Sequence, residues 1–274
     1  MKITADYHVH SNFSGDSQAS MDEMIQKAIS LGLTHICFTD HMDYDYPKQY
    51  LGSARSFEFN VDKYFKHIEK MQEKYKEIKV LAGIELGVRP YLADKLNNLV
   101  EGYPFDFVIA SSHLVEDFDP YFPDYWEYYN NDPNLGIMKY FDSIIENIQV
   151  FHNFDTYGHL DYIIRYVPNK SFTYDPKLYW EQIERLLLTL VELNKGIEVN
   201  TAGLKYGLPF AHPKVEILKK FIELGGSYIT IGSDGHKPEH LAFDFNKEAD
   251  ILKNMGIQQY AIFEKRKPFF VQID

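Results

Sequence analysis

The chain has 274 residues, 45% of them hydrophobic and 25% charged, a balance suited to a folded protein with a sizeable core. Its net charge of −12 argues against nucleic acid or an anionic membrane as the main partner. No run of about 18 apolar residues and no N-terminal apolar leader segment occurs, so a soluble, cytoplasmic protein is expected.

The first chemical signal is Asp6-Tyr7-His8-Val9-His10, followed by Ser14-Gly15-Asp16. On an extended strand His8 and His10 point to one side, and Asp16 lies close enough to fold back toward them. Imidazoles and a carboxylate at one point suit a divalent transition-metal ion. Ser20 and Glu23 then form a capping box, and the helix they open carries Met24, Ile25, Ala28, Ile29 and Leu31 and stops at Gly32. The apolar run 34–39 is a strand ending in Asp40-His41. It contains Cys37, the one cysteine, which has no disulfide partner and reads as a buried strand residue. A loop-like insertion, 42–60, leads to a helix at 61–75.

Strand 79–84 ends in Glu85, and a helix at 92–102 follows. Strand 105–112 ends in His113. A long aromatic and acidic insertion, 115–133, precedes a helix at 135–152, and a short strand, 155–158, ends in His159-Leu160-Asp161. A helix at 176–195 leads to strand 196–199, which ends in Asn200-Thr201. A helix at 213–224 precedes the seventh strand, 227–232, which ends in Ser233-Asp234-Gly235-His236. A helix at 247–255 and an edge segment, 260–263, close the chain. The aromatic content, with 21 Tyr and 20 Phe, reads as core and interface packing.

Strands alternating with helices imply parallel strands joined by crossovers, and seven such units suggest a closed or nearly closed barrel. Polar residues at the C-terminal ends of the strands are where barrel enzymes place their sites; an open doubly wound sheet would gather ligands at one switch point instead. With no linker or low-complexity run, a single domain over 1–274 is expected. The strand ends collect His8, His10, Asp16, His41, Glu85, His113, His159, Asp234 and His236. His35, His67, His152, His212 and His240 lie in helices, loops or away from strand ends and are set aside. Nine ligands exceed what one ion takes, so two or three are implied, with Glu85 suited to bridge two of them. These cations would also reconcile an acidic protein with an anionic substrate.

His8-Val9-His10, Thr39-Asp40-His41, Gly83-Ile84-Glu85, Ser112-His113, Gly158-His159 and Ser233-Asp234-Gly235-His236 together resemble the polymerase-and-histidinol-phosphatase (PHP) family. The length, the segment Glu198-Val199-Asn200-Thr201-Ala202-Gly203 and the single-domain organisation resemble its stand-alone phosphatase branch. The resemblance implies a distorted (β/α)7, TIM-like barrel with a trinuclear site of zinc, manganese or iron. It implies one ion on His8, His10, Glu85 and Asp234, a second on Glu85, His113 and His159, and a third on Asp16, His41 and His236. Asp16 stands where some relatives carry histidine.

The implied reaction is hydrolysis of L-histidinol phosphate to L-histidinol and phosphate, a late step of histidine biosynthesis, by a metal-bridged hydroxide. Of the residues expected to act, Glu85, Asp234 and His236 serve the chemistry, with Asp234 or His236 as proton donor. Arg165 is the first candidate to grip the phosphate and Lys205 the second, ahead of Arg55 and Arg89. Asp161, Glu116 and tyrosines are candidates for the substrate amine and imidazole. Ser111, Ser112 and Cys37 are read as packing or hydrogen-bonding groups. The alternatives are a PHP phosphoesterase acting on another monoester, phosphotyrosine-like or a sugar phosphate, and a non-catalytic metal-binding domain. Nothing in the sequence bears on oligomeric state.

Overall fold

In the computed structural model, which describes residues 2–51, 56–169 and 171–274, the chain alternates strands and helices as its periodicity predicts. The elements are β1 (Ala5–Val9), α1 (Met21–Ser30), β2 (His35–Phe38), β3 (His41–Met42), α2 (Val61–Lys74), β4 (Lys79–Gly87), α3 (Ala93–Gly102) and β5 (Phe107–Ser111). They continue with α4 (Pro123–Tyr128), α5 (Pro133–Val150), β6 (Thr156–Tyr157), α6 (Trp180–Glu192), β7 (Gly196–Asn200), α7 (Ala202–Lys205) and α8 (Val215–Glu223). β8 (Ile229–Gly232), α9 (Phe245–Asn254), β9 (Gln259–Glu264) and β10 (Lys267–Gln272) complete the chain. Strands pair in the order β1-β2-β4-β5-β6-β7-β8, with β3 also on β4, and every pair is parallel.

The two ends of this sheet meet just beyond β8. His10 N donates to the Gly235 carbonyl at 2.9 Å, and Gly235 N donates to the His8 carbonyl at 3.2 Å. Among the described residues these backbone bonds join the barrel at its C-terminal rim, where His8 and His10 lie. Asp6, buried inside β1, holds this seam by accepting from Ser233 N at 2.9 Å, Ser233 Oγ at 2.5 Å and Ala242 N at 3.0 Å.

The expected second strand forms as β2, and a further two-residue strand, β3, follows it after a turn at Asp40. Asp40 turns inward and accepts from Ser11 N, Ser11 Oγ, Ser14 N and Ser14 Oγ at 2.6–3.1 Å. Pairing then resumes as β3, opposite Glu85. Buried carboxylates need this degree of satisfaction, and here it sets the turn that presents His41.

Local signals act as read. Ser20 Oγ accepts from Glu23 N, and Glu23 Oε2 accepts from Ser20 N, which starts α1. Gly32 takes φ +77° just past its end, where a side chain would be strained. The face of α2 made by Val61, Tyr64, Ile68 and Met71 is buried on the barrel, each such side chain contributing about 1.5–3 kcal/mol. The expected helix at 176–195 opens instead with a 3-10 turn, Pro176–Tyr179, before α6. The edge segment is half of an antiparallel hairpin, β9-β10. Its residues meet the entry side of the strands: Tyr260 Oη accepts from Thr4 N, and Arg266 N and Lys265 N donate to Asp106. The hairpin therefore covers the end opposite His8 and His10. No described helix is long and apolar enough to cross a membrane.

Glu248 of α9 is buried, its Oε2 without a hydrogen-bond partner among the described residues, and desolvation pushes its carboxyl up to about 7. With the folded value above the unfolded one, its contribution is fully present below about pH 4.5 and is lost as pH rises through 7. The ionised group then costs on the order of 3 kcal/mol. Glu248→Gln is therefore expected to gain stability over the parent by that amount between pH 4.5 and 8, measured by urea unfolding at both values. A difference independent of pH would contradict this.

Candidate metal centre and active-site cavity

Glu85, at the C-terminal end of β4, is fully buried. Its Oε1 lies 2.9 Å from His159 Nε2, 3.2 Å from His113 Nε2 and 2.8 Å from Ser111 Oγ. Its Oε2 lies 3.1 Å from His8 Nε2, 3.5 Å from His10 Nε2 and 2.9 Å from His41 Nδ1. Arg89, a weaker candidate for the phosphate, turns outward to Asp117 and the Glu116 carbonyl. Asp234 Oδ1 adds a second carboxylate, 3.4 Å from His10 Nε2 and 3.9 Å from His8 Nε2. Asp16 Oδ2 sits 3.0 Å from His236 Nε2 and 3.6 Å from His41 Nε2. Parallel strands ending at one rim bring all nine strand-end residues together.

The outward nitrogens of these rings are held by groups whose supporting role no strand-end pattern signals. His8 Nδ1 meets Glu198 Oε1 at 2.6 Å, and His113 Nδ1 meets Asp43 Oδ1 at 2.6 Å. Ser14 Oγ gives its proton to Asp40, so it accepts from His10 Nδ1 at 3.0 Å. In the neutral form of all three rings, the form that ligates a metal, this leaves Nε2 as the lone pair aimed inward, the tautomer that partners behind a metal-ligating histidine impose.

His8 Nε2, His10 Nε2, His41 Nδ1 and Glu85 Oε2 are buried with no hydrogen-bond partner among the described residues. Three groups of ligand atoms, His8/His10/Glu85, His41/Glu85/His113 and His10/His41/His236, lie each within 4.8 Å. Leaving such atoms unsatisfied costs about 1–3 kcal/mol each, and imidazoles converging with carboxylates are what a divalent ion of the zinc type requires. The residues fit such ions. Burial opposes charge on both rings, yet Glu198 and Glu85 raise His8, and Glu85 and Asp16 raise His41, well above the usual histidine range. The same histidines hold Glu85 and Asp234 well below the carboxylate range despite their burial. The pocket is thus arranged for positive charge.

Above this floor opens a cavity of about 580 Å³. Its inner wall carries Asp16, His41, His113, His159, Asp234, His236 and Arg165, with Phe57 against His41 and Tyr162 against His159, and its outer wall the partly exposed Tyr46, Tyr50, Tyr121, Phe122, Tyr166 and Tyr206 with Asp119. Arg165 Nη1 is 3.5 Å from Asp234 Oδ2. Lys205 does not line the cavity. Its Nζ donates to the carbonyls of Asp234, at 2.8 Å, and Ser233, at 3.4 Å, and burial lowers its pKa to about 8. Lys237 and His240 enter the wall instead. Asp161 is sequestered by His212, Glu116 is exposed away from the cavity, and Arg55 lies outside the described residues.

A parallel barrel gathering imidazoles and carboxylates at its strand ends, beneath an open cavity, defines the class of metal-dependent barrel hydrolases. The sequence profile of the PHP domain matches residues 6–202. The chain is 32% identical to the histidinol-phosphatase of Lactococcus lactis subsp. lactis, over 96% of this chain and 95% of that protein. It is 30% identical to the probable histidinol-phosphatase of Clostridium acetobutylicum, over 95% and 97%. The crystal structure of the Lactococcus lactis histidinol phosphate phosphatase, complexed with zinc, L-histidinol and phosphate, matches with a TM-score of 0.86 at 30% identity, over 97% of this chain and 98% of that one. The chain belongs to the PHP family.

Proposed function

We propose that this protein hydrolyses L-histidinol phosphate to L-histidinol and phosphate, in histidine biosynthesis, using two or three divalent ions of zinc, manganese or iron. The observation that carries the reading is the set of inward-facing, unpartnered imidazole and carboxylate atoms at the floor of a cavity that also holds Arg165. The Lactococcus lactis relatives support the substrate and the metal. His8, His10, Glu85 and Asp234 would hold one ion, Glu85, His113 and His159 a second, and Asp16, His41 and His236 a third. Bound there, the ions supply positive charge to the phosphate oxygens and acidify water.

The protein's own groups orient the ester. Arg165, beside Asp234, is placed to donate to a phosphate oxygen. His236 faces the same space and is the group suited to give the leaving alkoxide its proton, whereas Asp234, held well below the carboxylate range by its histidine neighbours, has none to give. Lys205 serves by holding the backbone of Ser233 and Asp234 in place. Asp234 itself sits at φ +52°, a left-handed conformation that such anchoring stabilises.

The outer wall suits a cationic aromatic leaving group. Asp119, held by Tyr46 Oη and by Tyr121 N at 2.8 Å, is the acid that faces the aromatic mouth. Asp119→Asn is expected to raise KM for L-histidinol phosphate about 10-fold and to leave KM for a neutral phenyl phosphate unchanged. Equal changes for both esters would remove Asp119 from recognition.

The reading includes a cytoplasmic protein acting on a small phosphate ester, with no nucleic acid partner and 1–274 as one domain. The net charge of −12 and the packing of β8, β9 and β1 into one core support it. Its test is phosphate release from L-histidinol phosphate beside phosphotyrosine, glucose 6-phosphate and p-nitrophenyl phosphate. The expected kcat/KM preference for L-histidinol phosphate is about 100-fold or more. Preference for another ester would keep the site and replace the substrate, and inactivity on all of them with each metal would leave a metal-binding domain.

A further inference from the structure

Behind Arg165 lies a buried polar chain that the hydrolytic reading does not use. Asp161, His212 and Asn200 are shielded completely from solvent. His212 Nδ1 is 2.5 Å from Asp161 Oδ1, and His212 Nε2 is 2.9 Å from Arg165 Nε. Guanidinium nitrogens only donate, so Nε2 has to accept, and the ring is neutral with its proton on Nδ1, given to Asp161. The second oxygen of Asp161 accepts from Lys214 N at 3.0 Å, which fixes the carboxylate in turn. Burial and the neighbouring Arg165 lower the His212 pKa to about 4, so the ring stays an acceptor near neutral pH.

Arg165 is held on further sides. Its Nη2 lies 3.4 Å from Asn200 Oδ1, and the Tyr206 ring lies 5.0 Å from the guanidinium carbon. Nη1 is 3.5 Å from Asp234 Oδ2, too far for a good hydrogen bond. Released from His212, the guanidinium would be free to swing into a bidentate pair with Asp234, which would neutralise its charge and occupy an oxygen at the reacting centre.

We propose that His212 is a positioning residue: through Nε2, and backed by Asp161, it locks the Arg165 guanidinium so that its remaining N–H groups face the phosphoryl group rather than Asp234. The identity of the anion rests on the phosphatase reading, whereas the lock is a property of the protein alone. The arrangement resembles the way a buried carboxylate orients an active-site imidazole, here with an arginine as the group being aimed.

The test is a double-mutant cycle on His212→Phe and Arg165→Ala, with inorganic phosphate as a competing inhibitor. His212→Phe is expected to raise KM for the ester and the inhibition constant of phosphate about 10-fold, with bound metal unchanged and kcat less affected. In the Arg165→Ala background the same change is expected to add less than about twofold. His212→Gln, which keeps an acceptor near the Nε2 position, should recover most of the loss. If His212→Phe does not fold, Asp161→Asn replaces it, since an amide donor facing Nδ1 would move the ring proton to Nε2 and against Arg165. Equal effects in both backgrounds, or unchanged KM and phosphate inhibition, would overturn the proposal. Independently of turnover, the 15N spectrum of the histidine rings should show His212 protonated on Nδ1 near neutral pH, and a proton on Nε2 would also overturn it. A parent protein inactive on L-histidinol phosphate, with His212 in the Nδ1–H form, would count against the substrate and not against the lock.

Discussion

Glu85→Gln is expected to lower kcat by about 10³-fold or more and to reduce the metal retained after desalting by at least one equivalent per chain. Glu85 contacts five histidines, with three of their nitrogens around Oε2 and two around Oε1. A carboxamide keeps the shape but removes the negative charge and turns an N–H toward nitrogens whose lone pairs face inward. Because the carboxylate is the group the proposed first and second ions share, one substitution should weaken both. The checks are steady-state kinetics and elemental analysis, with circular dichroism to confirm the fold. Turnover within a few-fold of the parent at full metal content would displace Glu85 from the centre of the site.

Gly232→Ala is expected to cost about 2–4 kcal/mol of stability and most of the activity, although Gly232 is not a proposed ligand. A Cβ there would lie 2.3 Å from His8 Cβ, 2.5 Å from Glu198 Oε1 and 3.1 Å from His8 N. The first and last of these belong to β1 itself, so relief requires moving a strand at the seam where the barrel joins. Glu198 also orients His8 through Nδ1, so the added methyl pushes on the ligand and on its support together. A shift of about 1 Å in such a group can cost about 10² in rate. Gly87 makes a useful contrast. The three atoms nearest to a Cβ there all belong to the Asp43 side chain, so the strain would fall first on His113 through Asp43 and not on the seam. Urea unfolding and kcat measure both effects. A change below about 0.5 kcal/mol with normal kcat would mean that the seam yields.

The part of the site that was legible in the sequence is the part tied to strand ends. His10, His41, Glu85, His113, His159 and Asp234 each follow an apolar or β-branched run, and parallel topology carries all such ends to one rim. The partners behind the ligands were not legible, because their role depends on contacts across long stretches of chain. Asp43 reaches His113 across 70 residues, and Glu198 reaches His8 across 190. His212 lies in a loop away from any strand end, and its importance arises only when folding puts it between Asp161 and Arg165. The exchange of Lys205 for Lys237 in the cavity wall has a similar origin. The short helix α7 directs the Lys205 amine to the carbonyls of Ser233 and Asp234, a direction set by backbone geometry that no residue pattern encodes. Local chemistry added detail that periodicity does not carry: the turn at Asp40 sets a further short strand, β3, after the second strand, and Pro176 opens a 3-10 turn ahead of α6.

The central claim is that the converging imidazoles and carboxylates hold the ions on which phosphate release depends. Metal-stripped protein titrated with zinc, with bound metal and phosphate release from L-histidinol phosphate recorded at each addition, tests it most directly. Activity should be negligible in the stripped protein, rise with bound metal and level off at two to three equivalents per chain. Full activity with one equivalent or fewer would contradict the account.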